Sequence, residues 1–381
     1  MRTLAAVLAA LLALATPHAH AQNLRAEALT EHERHAVILT LRIAGDDIDT
    51  LDAFAAATTV ERRAIIDQHR PRITKAWSDQ REAAQRGETP DMRIAMGSIW
   101  DARAALDDAQ TRMINDLVLT LGGDREAEVD RCLSRLYRMR TMPPLSGSIS
   151  GLAADPLIVA YEVGVPAALD NDRAARFQRA MLSYDGAIER HLRAFDDLER
   201  EASIAFSVPG FDDLGPVADD YFARTIEIAA EIKQAHRERC EAIAATLPDD
   251  LRSRWHAAWL RLGYPDVYAP HYIEHARDRL LATTTLTDDE REAVEALTSA
   301  KLPTLDRARR ALRQAIDDHE ASATPDTARN GVRPVPDDLT DARERVRELA
   351  VKTHVELLAL IDEERHELVP PLPDRSEDAD T

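Results

Sequence analysis

The sequence predicts an all-α protein, an array of helical hairpins that divides into two helical lobes. Three observations carry this. Apolar residues recur at helical spacing in almost every segment, and no run alternates as a half-buried strand would. The breaks carry turn chemistry: "GGD" at 122, "PPLSGSISG" at 143, "VPGFDDLGP" at 208 and "TPDTARNGVRPVPDD" at 324.

Taken in order, the first 21 residues read as a secretory signal peptide. A basic Arg2 precedes an apolar run from Leu4 to Ala15 and a small-x-small site at Ala19-His20-Ala21. The expected mature chain begins near Gln22 as an exported protein of a Gram-negative periplasm. No later stretch approaches the roughly 18 apolar residues of a membrane span.

Helices are then expected over 30–44, 47–57, 60–86, 92–121 and 125–141. After the loop at 143 come 155–163 and 172–206, which complete an N-terminal helical region, 22–207. The C-terminal region, 216–367, holds 216–247, 249–262, 270–283, 288–322 and 338–367, with Pro303 expected to kink or split its helix. Residues 368–381 form an acidic, proline-rich tail expected to be disordered. Asp46-Asp47, Asp249-Asp250, Asp288-Asp289 and Asp337-Asp338 each stand at a helix start, where carboxylates meet free amides and the positive end of the helix dipole.

The formal charge is -20, and losing Arg2 makes it -21. Such a chain repels nucleic acid and anionic lipid and attracts basic polypeptides. With 45% hydrophobic but only 4% aromatic residues, the core is expected to be mainly Ala, Leu, Ile and Val. Cys132 shares an apolar stripe with Val129, Leu133 and Leu136, and Cys240 with Ile232, His236 and Ile243. Export favours a disulfide between the two, the stripes favour two buried thiols, and both readings stay open.

"LTEHERHAV" at 29–37 and "LTDDEREAV" at 286–294 are near twins, with a looser echo in "LTDARERVREL" from Leu339. Thr30-x-x-Glu33 and Thr287-x-x-Glu290 are capping boxes, which explains the Thr and Glu locally. The shared Leu and the following Arg-x-Ala-Val hint at duplicated units. The Leu-Thr-x-x helix start in an exported, helical, charged chain resembles the Spy/CpxP-like periplasmic family and its L-T-x-x-Q motif. The Gln position here holds Glu33, Glu290 and Arg343. The resemblance implies hairpin units forming a cradle and an ATP-independent chaperone or envelope-stress role, with protein clients or envelope proteins as partners. The expected binding stripes are Val37, Ile38 and Leu41 in one unit and Val294 and Leu297 in the other.

The alternative is metal chemistry. "HYIEH", His271 to His275, matches H-x-x-E-H: two histidines four apart on one helical face would hold zinc, and Glu274 would activate its water. Glu348 and Glu356 are candidate third ligands. Against this, Pro270 puts His271 in the first helical turn, where the dipole opposes a cation, and the scaffold lacks strands. His32 and His35 form a second acidic-histidine cluster. "GSISG" at 147–151 is no nucleophile elbow, because Ile149 stands where serine is needed. Zinc is the only cofactor the sequence suggests.

Overall fold

The structure, a computed structural model, describes residues 24–86, 88, 93–122, 125–146, 149–205, 214–330 and 334–372. The leader at 1–21, the loop at 208–213, residues 147–148 and the tail from 373 lie outside the described residues. Among those described there are fourteen α-helices and no strand, so the fold class is all-α. The helices are α1 (Glu31–Leu41), α2 (Asp47–Gln85), α3 (Arg93–Leu121), α4 (Glu126–Ser146), α5 (Pro156–Glu162), α6 (Val165–Ala168) and α7 (Asn171–Ala205). They continue with α8 (Leu214–Ala244), α9 (Asp249–Gly263), α10 (Pro265–Tyr268), α11 (Tyr272–Ala282), α12 (Asp288–Ala321), α13 (Pro325–Asn330) and α14 (Asp337–Leu360). A 3-10 turn, Glu363–Leu368, follows. No described helix is long and apolar enough to cross a membrane.

The chain forms two compact units. The first comprises Met1–Leu152, Pro156–Ser253 and Ala323–Arg333, and the second Ala153–Asp155, Arg254–Ser322 and Pro334–Thr381. Their division near Ser253 differs from the expected one at 208–216, since α8 belongs with α7 in the first unit.

In the first unit α2 pairs with α3 and α7 with α8, while α4 packs on α1, α3 and α7. The α7/α8 hairpin is antiparallel, as the ladder Glu199–Tyr221, His191–Glu231 and Tyr184–His236 shows. α7 is amphipathic because Phe177, Met181, Tyr184, Ile188 and Leu192 recur at helical spacing on its buried face. Val37, Leu41, Leu51, Met113, Ile114, Leu117, Cys132 and Leu136 make the main core of this unit. Each fully buried Leu or Ile there contributes about 1.5–3 kcal/mol.

The second unit packs α12 on α11 and α14. Its core joins Tyr272, Ala276, Leu280, Leu286, Val294, Ala350, Leu357 and Ile361.

Three expectations are corrected. No break separates 57 from 60: α2 runs on, because Thr59 satisfies its hydroxyl within the helix on the Ala55 carbonyl at 2.8 Å and also accepts the Ala28 amide at 3.0 Å. Pro71 and Pro303 both lie inside continuous helices, so Pro303 does not split α12. The tail is anchored at its start: Val369 is buried in the second unit's core and the Pro370 carbonyl accepts the Tyr272 hydroxyl at 3.0 Å.

Candidate binding site

The H-x-x-E-H motif is a helix cap. His271 is not on the surface of α11 but at its N-cap, with extended backbone, so it does not share a helical face with His275. Its Nδ1 accepts the Ile273 amide at 3.2 Å and its Nε2 donates to the Val346 carbonyl at 3.1 Å, which fixes the neutral Nε2–H tautomer. Glu274 closes the box on the His271 amide at 2.8 Å and takes both terminal nitrogens of Arg309, at 3.0 and 2.8 Å. Burial lowers the His271 pKa, with a further push from Arg309. Burial works to raise that of Glu274, but the Arg309 hydrogen bonds and charge, with the His271 amide, hold it below the ordinary carboxylate range. His275 is exposed. Glu348 accepts Lys352 at 3.0 Å and Glu356 accepts Lys301 at 2.7 Å. His35 bonds the Glu31 carbonyl at 2.9 Å, and His32 is exposed. The described residues contain no group of three or more His, Cys, Asp or Glu arranged to hold a metal.

The predicted binding stripes are core. Val37, Leu41 and Val294 are fully buried, while Ile38 and Leu297 are half-buried against the same two clusters. A face already packed against its own unit offers nothing to a client. Both capping boxes form as expected, at Thr30–Glu33 and Thr287–Glu290. The third echo does not: Thr340 lies inside α14, whose N-cap is Pro336.

Cys132 and Cys240 are both buried, and neither is in a disulfide. The two thiols stand on α4 and α8, and no disulfide joins them. Burial pushes the Cys132 thiol up to about 12. Cys240 lies 3.8 Å from His236 Nε2, one turn earlier on α8, and the His236 ring meets the Tyr184 hydroxyl at 2.9 Å.

The polar cluster that motif reading missed lies in the first unit, among α2, α3, α4 and α7. Trp100, Arg103 and Asp107 stand three and four residues apart on one face of α3. Trp100 Nε1 donates to Ser203 Oγ on α7 at 2.9 Å. The Arg103 guanidinium stacks 4.5 Å from the Trp100 ring, and its Nη2 meets Asp196 Oδ1 at 3.3 Å. The other Asp196 oxygen takes the Tyr137 hydroxyl at 2.5 Å, and Arg193 stacks 4.5 Å from the Tyr137 ring. Arg103 is therefore held from both sides. Its Nη1 is nonetheless buried without a hydrogen-bond partner among the described residues.

Water reaches Asp107, yet protein crowds it closely enough that burial raises its pKa. Arg140, Arg103 and Arg62 pull the other way and do not prevail, and Asp196 adds to the rise. Two of these arginines, Arg140 and Arg62, are committed elsewhere. Arg140 donates to Glu33 at 2.8 Å, Ala28 O at 2.6 Å and Gln110 at 2.8 Å. Arg62 donates to Leu106 O at 2.8 Å and Arg25 O at 2.9 Å. Burial, with Arg140 and Arg25 nearby, lowers Arg62 to about 10. The sequence signal was the Trp100-Arg103-Asp107 spacing beside the apolar Ile99, Ala102 and Leu106 stripe; the partners on α4 and α7 had none.

No protein-family model matches this chain, and neither does any curated protein or solved structure.

Proposed function

We propose that the chain is a helical binding protein whose site at Arg103, Asp107 and Asp196 takes a small carboxylate. One observation carries the reading. Arg103 is fixed by Trp100 and Asp196 while one buried edge of its guanidinium still has a donor to give. A buried donor without an acceptor costs about 1–3 kcal/mol, and an anionic oxygen removes that cost with a charge-assisted bond. Asp107, raised toward its neutral form, adds a second donor when protonated. Two neighbouring carboxyl groups favour a monoanion over a dianion by simple repulsion. Benzoate, a rigid monocarboxylate, is a suitable probe. Equilibrium binding of benzoate tests the reading: saturable binding lost in Arg103→Gln supports it, and equal binding by both proteins refutes it.

Export from an N-terminal leader, with a periplasmic destination, belongs to the same proposal and is supported by the sequence of residues 1–21 alone.

A second reading, the holding of polypeptide clients, rests on separate exposed apolar side chains rather than on the expected stripes. Val60, Ile94 and Leu119 stand 68%, 67% and 71% exposed on the α2/α3 hairpin. Suppression of aggregation of a denatured client, without ATP, tests it; Ile94→Asp should weaken the suppression.

A further inference from the structure

We infer that the middle of α12, in the second unit, is a binding site for a phosphate group that carries a proton, whether inorganic phosphate or a phosphate monoester. This is independent of the site on α3. Residues 306–313 read Asp-Arg-Ala-Arg-Arg-Ala-Leu-Arg: four arginines against one carboxylate in a chain of net charge -20. Only one of the four is consumed inward. Arg309 is buried and serves Glu274, the Val267 carbonyl and the Ala269 carbonyl.

Arg307 and Arg310 are exposed, and Arg313 is half-buried. Ser299, Pro303, Asp306, Arg310 and Arg313 alternate four and three residues apart and so share one face. Ser299, Leu302, Pro303, Asp306, Arg307 and Arg310 line an open depression of about 420 Å³. Beside it stands Tyr268, whose ring lies 5.8 Å from the Arg309 guanidinium and whose hydroxyl feels the charges of Arg313, Arg309, Arg310 and Asp306. That hydroxyl and Arg313 Nε are both buried without a hydrogen-bond partner among the described residues. Arg307 and Arg310 are exposed and line the depression itself, and together they offer charge and several donors to an anion with several acceptor oxygens.

The acceptors in the same place choose which anion. The Asp306 carboxylate would repel an anion with no proton. Pro303, lacking an N–H, also leaves the Ser299 carbonyl without its helical partner. Hydrogen phosphate offers oxygens to the guanidiniums and an O–H to one of these acceptors. Sulfate, of nearly the same size and charge, has no O–H to offer at neutral pH.

The test is calorimetric titration of the full chain with inorganic phosphate and, separately, with sulfate, at low ionic strength to limit screening. The wild type should bind phosphate saturably and prefer it to sulfate by about tenfold, the value of one well-placed hydrogen bond. Arg310→Gln, a surface change that leaves the core alone, should abolish saturation. Asp306→Asn should narrow the preference by strengthening sulfate binding. Absence of saturable phosphate binding overturns the inference, as does binding that Arg310→Gln leaves unchanged. Equal affinity for the two anions in the wild type overturns the proton requirement.

Discussion

Arg309 on α12 grips both carboxylate oxygens of Glu274, at 3.0 and 2.8 Å, while Glu274 caps the start of α11. The same arrangement recurs at the other two capping boxes. Glu33 takes Arg140 at 2.8 Å, and Glu290 takes Arg365 at 2.8 Å. Each box therefore does more than begin a helix: its glutamate ties that helix start to an arginine far along the chain. This is a physical account of the repeated Thr-x-x-Glu stretch, and His271 takes the capping role of threonine in a third box that lacks the leading Leu.

Arg309→Met should destabilise the second unit by about 3 kcal/mol, because it strands a half-buried carboxylate as well as removing the pair. Urea unfolding should show a lower midpoint. Glu274→Gln should cost less, since the amide oxygen can still accept the His271 N–H. An unchanged midpoint for Arg309→Met would make the pair ornamental.

His271 should make stability depend on pH. Its cap requires an unprotonated Nδ1, and its folded pKa lies below the ordinary 6.5. The unfolded chain therefore protonates first. Its stabilisation is complete above 6.5 and is lost as the pH falls through 6.5 toward the depressed folded value. The charged groups facing the ring are Arg309 and Glu274, and Glu274 stays ionised through that window because its own pKa is lowered. His271→Asn keeps a good N-cap without titrating. Unfolding midpoints followed from about pH 7.5 to 5 should fall less steeply in the variant than in the wild type; parallel curves contradict the capping role.

Both thiols should resist a thiol reagent in the native protein and react fully, two per chain, once it is denatured without reductant. Cys132 and Cys240 are buried and not disulfide-bonded, which requires this. Fewer than two thiols after denaturation would mean a bond the fold does not contain.

Leu41→Ala and Val294→Ala should act on stability rather than on binding. Both side chains are fully buried, so each truncation should cost about 2–4 kcal/mol in unfolding experiments. Loss of client or ligand binding with unchanged stability would restore the stripes as surfaces.

What could be read in advance follows the range of the forces involved. Helix periodicity and the two threonine capping boxes are local, four-residue matters, and both were legible. The gap expected between 57 and 60 does not exist, because the hydroxyl of Thr59 is satisfied inside α2 and by the distant Ala28 amide. "HYIEH" misled because a cap and half a zinc site use the same residue types; only the backbone at His271 and the distant Arg309 and Val346 separate them. The Arg103 site depends on pairings across about a hundred residues, Trp100 with Ser203 and Arg103 with Asp196. No local pattern encodes such pairings.

The most direct test of the account is the pH dependence of benzoate binding at Arg103. Asp107 has a raised pKa, so lowering the pH neutralises it, removes its repulsion of the ligand and turns it into a donor. Titration at about pH 7.5 and again at about pH 5 should give tighter binding at the lower value. Asp107→Asn should bind comparably tightly at both, and Arg103→Gln should bind at neither. Wild-type binding that weakens on acidification, or that survives Arg103→Gln, would contradict the account.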